Sequence, residues 1–126
     1  MIKSTQLNTT SAVNVPERVF TASTNGDPIG GVIVGVQQAI TTMIICNTSA
    51  VVVTDETSGE AVINVYLVKS GDTADANNLI ISNLTIPAGE TVFFSDEKII
   101  LAEGDQVWIG CDVTGVITAT VSSLPV

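Results

Sequence analysis

Residues 86–110, IPAGETVFFSDEKIILAEGDQVWIG, consist of short apolar runs separated by turn residues. The runs TVFF, IIL and QVWIG are too short for helices, and they hold the β-branched and aromatic residues that strands favour. The intervening PAGE and AEGD segments carry Pro, Gly and Asp, which are typical of tight turns. The stretch therefore predicts three successive strands. Its acids lie in or beside the turns: Glu90, Asp96, Glu97, Glu103 and Asp105.

The same pattern of strands and turns extends in both directions from this stretch. We expect further strands at 13–23, 32–36, 39–47, 61–69, 79–86 and 116–122. Turn residues recur roughly every 8–12 residues, which is the spacing expected of an all-β sandwich or barrel. No window shows the spacing of apolar residues that an amphipathic helix needs. The predicted fold class is therefore all-β.

Strict alternation assigns the two faces of the strands at 61–69 and 106–111. The inward face is predicted to be aliphatic: Ile63, Val65, Leu67, Val107, Ile109 and Cys111. The outward face holds polar and aromatic residues: Asn64, Tyr66, Gln106 and Trp108. If these strands are neighbours, the four residues form one patch, and outward Tyr and Trp often mark an interface. We take them as a candidate interface; the alternative is that the N-terminal segment or a loop covers them.

Length and composition predict one domain with a polar N-terminal arm. The chain has 126 residues, which is enough for a single core. Residues 1–12 are rich in Ser, Thr and Asn, so we expect an arm that is loose or ordered only against a neighbour. The sandwich domain is predicted to span 13–126. No secretory signal or membrane-length apolar run is visible, so we expect a protein made in the cytoplasm with no membrane partner.

The net charge of −9 is concentrated in one part of the chain. Residues 1–54 carry two acids and two basic residues, so residues 55–126 carry the entire excess. Such a chain repels phosphate backbones and offers no basic patch, which argues against nucleic acid as a partner. We expect the negative charge to keep the protein soluble, or to complement a basic surface on a partner protein.

The sequence offers little for catalysis or metal binding. It has no histidine, which removes the commonest general base and the imidazole ligands of zinc. It also lacks the glycine-rich motifs that bind phosphates and dinucleotides. Carboxylate pairs remain, but the acids cluster at predicted turns rather than facing across a cleft. We therefore predict no enzyme and no catalytic, cofactor or metal site.

Two smaller features leave alternatives open. The loop at 70–78, SGDTADANN, places Asp72, Asp75, Asn77 and Asn78 close together, but without the spacing of a calcium loop. We expect a polar connection there, with ion binding as the alternative. Cys46 and Cys111 lie in separate predicted strands, and in a reducing compartment we expect free thiols rather than a disulfide.

Residues 40–123 resemble a group of small virion proteins of tailed bacteriophages. The similarity follows the order CNTSA, AVINVYLVKSGDTADANN, LIISNLTIPAGETVFF, IILAEGDQVWIGC and VITATVSSL. Ile86–Thr91 and Leu101–Asp105 carry most of it. The resemblance implies a single antiparallel β-sandwich, immunoglobulin-like or jelly-roll, of about 7–9 strands and without catalytic residues. The first 40 residues lie outside it.

The resemblance implies a structural role in the virion. Such proteins are similar to capsid decoration (cement) subunits that bind and stabilise the outer head surface, or to neck, tail or fibre-attachment subunits. The implied partners are the major capsid protein or other virion subunits, with further copies of the same chain on the particle. A different hypothesis, drawn from the residues alone, is a carbohydrate-binding module that uses Tyr66 and Trp108.

Overall fold

The computed structural model describes residues 2–6, 15–22, 37–55, 57–95, 99–113 and 115–125. Its described part contains nine strands and no helix, which confirms the all-β prediction. The strands are β1 (Ile2–Gln6), β2 (Glu17–Thr21), β3 (Gln38–Asn47), β4 (Ala61–Val68), β5 (Leu79–Ile86), β6 (Thr91–Phe94), β7 (Ile99–Leu101), β8 (Gln106–Cys111) and β9 (Ile117–Pro125).

The nine strands form two sheets that pack face to face. Sheet A has the order β1-β9-β3-β6, and β7 pairs with β3 beside β6. Sheet B has the order β2-β8-β4-β5. Every strand pairing among the described residues is antiparallel. The predicted antiparallel sandwich is therefore confirmed, while the choice between an immunoglobulin-like and a jelly-roll topology stays a prediction.

The core between the sheets is built from the inward faces of both. It contains one fully buried aromatic residue, Phe20, among aliphatic side chains such as Ile45, Ile63, Ile109 and Ile117. Alternation along β4, β8 and β9 follows the prediction over most of their length. Leu67 also points inward as predicted, because it lies opposite Val107 and packs against the core, although it is only half-buried. Val68, on the outward side opposite Gln106, is buried as well.

The N-terminal region differs from the expectation of a loose arm. Residues 2–6 form β1, which pairs with β9 at the edge of sheet A. The predicted strand at 13–23 is shorter and begins only at Glu17, after Pro16, which has no N–H to give to a ladder. Residues 7–12 and the predicted strand at 32–36 lie outside the described residues.

Asn47, at the end of β3, connects three parts of the chain at one end of the sandwich. Its side chain is fully buried, and Nδ2 donates hydrogen bonds to the carbonyls of Gly59 (2.7 Å) and Ile86 (2.9 Å). Its Oδ1 accepts from the N–H of Ser49 at 3.0 Å. Gly59 has φ of 79°, and a Cβ there would lie 3.0 Å from the Cβ atoms of Ala88 and Ser49. The polar amide is buried because each of its functions is satisfied.

We predict that Asn47→Ala destabilises the fold by about 2–4 kcal/mol, because the buried carbonyl of Ile86 and the part-buried carbonyl of Gly59 lose their donor and an N–H loses its acceptor. The measurement is the urea midpoint of unfolding. Thr48→Ala is the matched control, since it removes one exposed hydroxyl bond to the carbonyl of Val116 (2.9 Å) and should cost less than about 1 kcal/mol. Equal losses of stability in the two variants would show that the hydrogen bonds of Asn47 contribute no more to stability than the exposed hydroxyl bond of Thr48.

Candidate functional site

The four residues of the predicted interface come together on the outer face of sheet B. β4 and β8 are neighbours, and Tyr66 lies directly opposite Trp108 in their register. Asn64 lies opposite Gly110, two positions further along the same face. Directly opposite residues in an antiparallel pair have their Cβ atoms about 4.5–5.5 Å apart. The condition on which the predicted patch depended, that the two strands are adjacent, is met.

The structure adds Arg18, which the sequence did not indicate. In the pairing of β2 with β8, Arg18 lies opposite Trp108, on the side away from Tyr66. Leu79 of β5 lies opposite Tyr66. The outer face of sheet B therefore carries one continuous cross-strand row, Arg18–Trp108–Tyr66–Leu79. We call the predicted four residues together with Arg18 the aromatic patch.

Hydrogen bonds hold the polar members of the aromatic patch in place. The indole Nε1 of Trp108 donates to Oε1 of Gln106 at 2.6 Å. The Oδ1 of Asn64 accepts from the backbone N–H of Asn83 at 2.8 Å. Asn83 has φ of 55°, and β5 is displaced by one position against β4 at this point. Such a bulge leaves an N–H without a ladder partner, and Asn64 supplies the acceptor.

The aromatic patch is accessible in part. Tyr66, Trp108, Asn64 and Gln106 are half-buried, and Arg18 is exposed. The patch can offer two flat rings, a guanidinium with several donors, and amides already fixed by bonds to the protein. That is chemistry for recognition rather than for bond making. Its role as an interface stays a prediction.

The carboxylates of the turns hold backbone together. Asp105 accepts from the N–H of Ser70 through Oδ1 and from that of Ala102 through Oδ2, both at 3.1 Å. The Oδ1 of Asp112 accepts from the N–H of Val62 at 2.8 Å. Glu90 and Glu103 are exposed, whereas Asp96 and Glu97 lie outside the described residues. The acids that the structure describes in the 86–110 stretch are therefore turn residues, as predicted.

The loop considered for calcium is organised by its own side chains. It borders an open hollow of about 500 Å³. Within the loop, Asp75 Oδ1 accepts from the N–H of Asn77 at 2.8 Å, and Asn78 Oδ1 accepts from the N–H of Asp75 at 3.0 Å. Within the described ranges, no group of three or more Cys, Asp and Glu is placed to hold a metal ion. The oxygens serve turn geometry.

Both cysteines are free thiols. Cys46 is half-buried in β3, and Cys111 is buried at the end of β8. Burial raises the pKa of the Cys111 thiol above its ordinary value. The N–H of Val113, 3.4 Å from Sγ, opposes the shift in part, and the carboxylate of Asp112 adds to it. Cys111 is therefore held as the uncharged thiol, which is the weakly nucleophilic form.

Sequence reasoning missed the outer face of sheet A. Its first apolar row runs Leu124–Ala39–Ile100 across β9, β3 and β7, and its second runs Ile44–Phe93 across β3 and β6. Phe93, Ile100 and Leu124 are among the most exposed large apolar residues of the described chain. The signal was present in the uninterrupted apolar runs VFF and IIL, which place apolar residues on both faces of a strand, but the strand order was needed to show that they form one surface.

Comparison with known proteins adds no relative. No protein-family model, no curated protein and no solved structure matches the chain. Within the described ranges, no helix has the length and apolar character needed to cross a membrane.

We predict that alkylation of Cys111 requires a more alkaline pH in the folded protein than in the unfolded chain. A raised pKa means that less thiolate, the reactive form, is present at any given pH below it. The test uses a Cys46→Ser variant, so that Cys111 is the single thiol. Iodoacetamide labelling rates are measured by mass spectrometry from about pH 7 to 10, with and without urea. A folded-state midpoint equal to or below the urea value would contradict the prediction.

Proposed function

We propose that this chain is a structural subunit of a tailed-bacteriophage virion, most specifically a capsid decoration (cement) protein that binds and stabilises the outer head surface. The resemblance over residues 40–123 supports the proposal, and it implied the sandwich architecture that the chain has. The observation that carries a binding role is the aromatic patch. Its central Tyr66–Trp108 pair is fixed by cross-strand register and by the Trp108–Gln106 bond.

The aromatic patch has the composition of an interface centre. Tyr, Trp and Arg are the residues most enriched among those that dominate binding energy, and such residues act best when already positioned. Among the described residues, every acid lies on β2 or in a loop. The acids would form a charged rim that selects a basic partner surface. Repetition over a symmetric particle would multiply a modest contact through avidity.

We predict that the protein is found on the outside of purified particles of the phage that encodes it, in many copies spread over the head. Immunogold electron microscopy of intact particles gives the location. A label confined to one vertex or to the tail would move the proposal to a neck, tail or fibre-attachment subunit. Particles without any label, with mass spectrometry also negative for the chain, would overturn a virion role.

The same particles also test the surface that binds. Particles assembled without the protein should rebind wild-type protein, and Trp108→Ala should bind at least about 30-fold more weakly, because hot-spot truncation typically costs 2 kcal/mol or more. Val53→Ala, at a 91% exposed loop position, is the matched control. Undiminished binding by Trp108→Ala would exclude the aromatic patch as the docking surface, whatever the location of the protein.

The second candidate function is a carbohydrate-binding module, and the same observation favours it. Adjacent, partly exposed Tyr and Trp rings on a sheet face can stack against the apolar face of a sugar ring, with Arg18 and the amides to bond hydroxyls.

We predict for this candidate that a glycan array binds wild-type protein and loses signal with Trp108→Ala, because the indole ring supplies the stacking surface. Arg18→Ala should weaken the same spots less, since the rings remain. Silence of the wild type across the array would remove this candidate and leave the virion proposal untouched.

A further inference from the structure

We infer that the outer face of sheet A is a self-association surface, on which a second copy of this chain packs face to face. The face is formed by β9, β3, β6 and β7, with β1 at its edge. Its two apolar rows, Leu124–Ala39–Ile100 and Ile44–Phe93, lie on either side of the hydroxyl pair Thr42–Ser122. The inference does not depend on where the protein acts.

Three large apolar side chains are exposed on this face. Phe93, Ile100 and Leu124 are 64%, 61% and 57% exposed, and all three point to the same side of one sheet. Single exposed apolar residues are common on soluble proteins, but a contiguous group on a flat sheet marks an interaction site. The remaining outward positions of β3 and β9 carry Thr, Ser and Cys.

The distribution of charge identifies the occupant as a second copy. The strands β3, β6, β7 and β9 contain no charged residue, although the chain carries a net charge of −9. Two copies that meet through these four strands bring no strand charges together, because Lys3 of sheet A lies on the edge strand β1 and the described acids lie on β2 and in loops. A charged partner would gain nothing from this face. Depletion of charge and high apolar content are typical of homodimer interfaces.

The area of the face suits a weak dimer. The longest strand, β3, has ten residues, and β6 and β7 follow each other along its one edge. With about 3.4 Å per residue and about 4.8 Å between strands, the face is three strands wide and measures roughly 30 Å by 14 Å. Two such faces bury about 850 Å² together, in the range of weak and transient interfaces, so the dimer should dissociate on dilution.

The arrangement of rows makes the face complementary to itself. Sheets in a sandwich pack with their strands nearly aligned. A two-fold axis in the plane of contact, along or across the strands, places each apolar row of one copy on an apolar row of the other. The Thr42 and Ser122 hydroxyls then meet each other near the centre; Ser122 Oγ is already 3.1 Å from Thr41 Oγ1 within the chain.

Sedimentation velocity over about 1–200 µM tests the inference. The wild type should sediment as a dimer that dissociates on dilution. The double variant Phe93→Glu/Ile100→Glu should lose at least about 100-fold in dimerisation constant, because apposed copies bury four new carboxylates. Leu124→Glu, on β9, repeats the test from the other side of β3. Circular dichroism and Trp108 fluorescence, on the opposite sheet, report whether each variant is folded.

Val53→Glu is the matched control, because it adds the same charge at an exposed valine outside sheet A. It should leave the dimer intact. Three outcomes would overturn the inference: a monomeric wild type across the whole range, a folded double variant that still dimerises, or equal dissociation by Val53→Glu. A monomeric wild type on virions would leave the proposed function standing, and a dimer absent from virions would leave this inference standing.

Discussion

The hydrogen bonds from the buried side chain of Asn47 close one end of the sandwich, and the positions of several strands depend on them. One amide group supplies the donor for a carbonyl in the turn before β4 and for the carbonyl that ends β5. The backbone of Asn47 adds bonds to Glu90 and Gly89 at the start of β6. Where β3 ends, where β4 begins and where β5 leaves sheet B are thus fixed together. From there β4 pairs with β8 in the register that sets Tyr66 opposite Trp108.

Much of this fold can be predicted from local sequence patterns. The features that were not predicted share one cause, which is that they depend on contacts between distant parts of the chain. Strands such as β3, β5 and β8 follow directly from short β-branched runs between turn residues, because both signals are local in sequence. The role of Asn47 is not local, since its partners lie 12 and 39 residues away. β1 was equally hard to predict, because one isoleucine followed by four polar residues becomes a strand only when β9 offers an edge. The burial of Val68, at an outward position opposite Gln106, was not predictable either, because alternation gives the direction of a side chain and not what covers it.

In the candidate site too, some residues were predicted from local pattern and others depend on strand pairing. Alternation along each strand was enough to find Asn64, Tyr66, Gln106 and Trp108, and the only further condition was that β4 and β8 be neighbours. Arg18 could not be found in this way, because its place beside Trp108 depends on a pairing that shifts register two residues later, at Phe20. The apolar face of sheet A could not be predicted without the strand order of the whole sheet. Its rows combine residues from four strands, β9, β3 and β6 in that order, with β7 beside β6 on the same edge of β3.

The two outer faces of the sandwich are suited to different kinds of contact. Sheet B offers aromatic rings, a guanidinium and fixed amides, with acids in the surrounding loops, which is the composition of a selective surface. The outer face of sheet A offers large apolar side chains, Phe93 among them, and hydroxyl groups on four strands that hold no charged residue, which is typical of a homodimer interface. Because the faces point in opposite directions, a dimer through sheet A would carry two aromatic patches on its two outer sides. Two sites on one body bind a repeating surface more tightly than either alone only if its spacing lets both engage. A dimer whose patches face opposite ways cannot bind one flat surface with both of them. Such a dimer would instead join two separate surfaces, one at each aromatic patch.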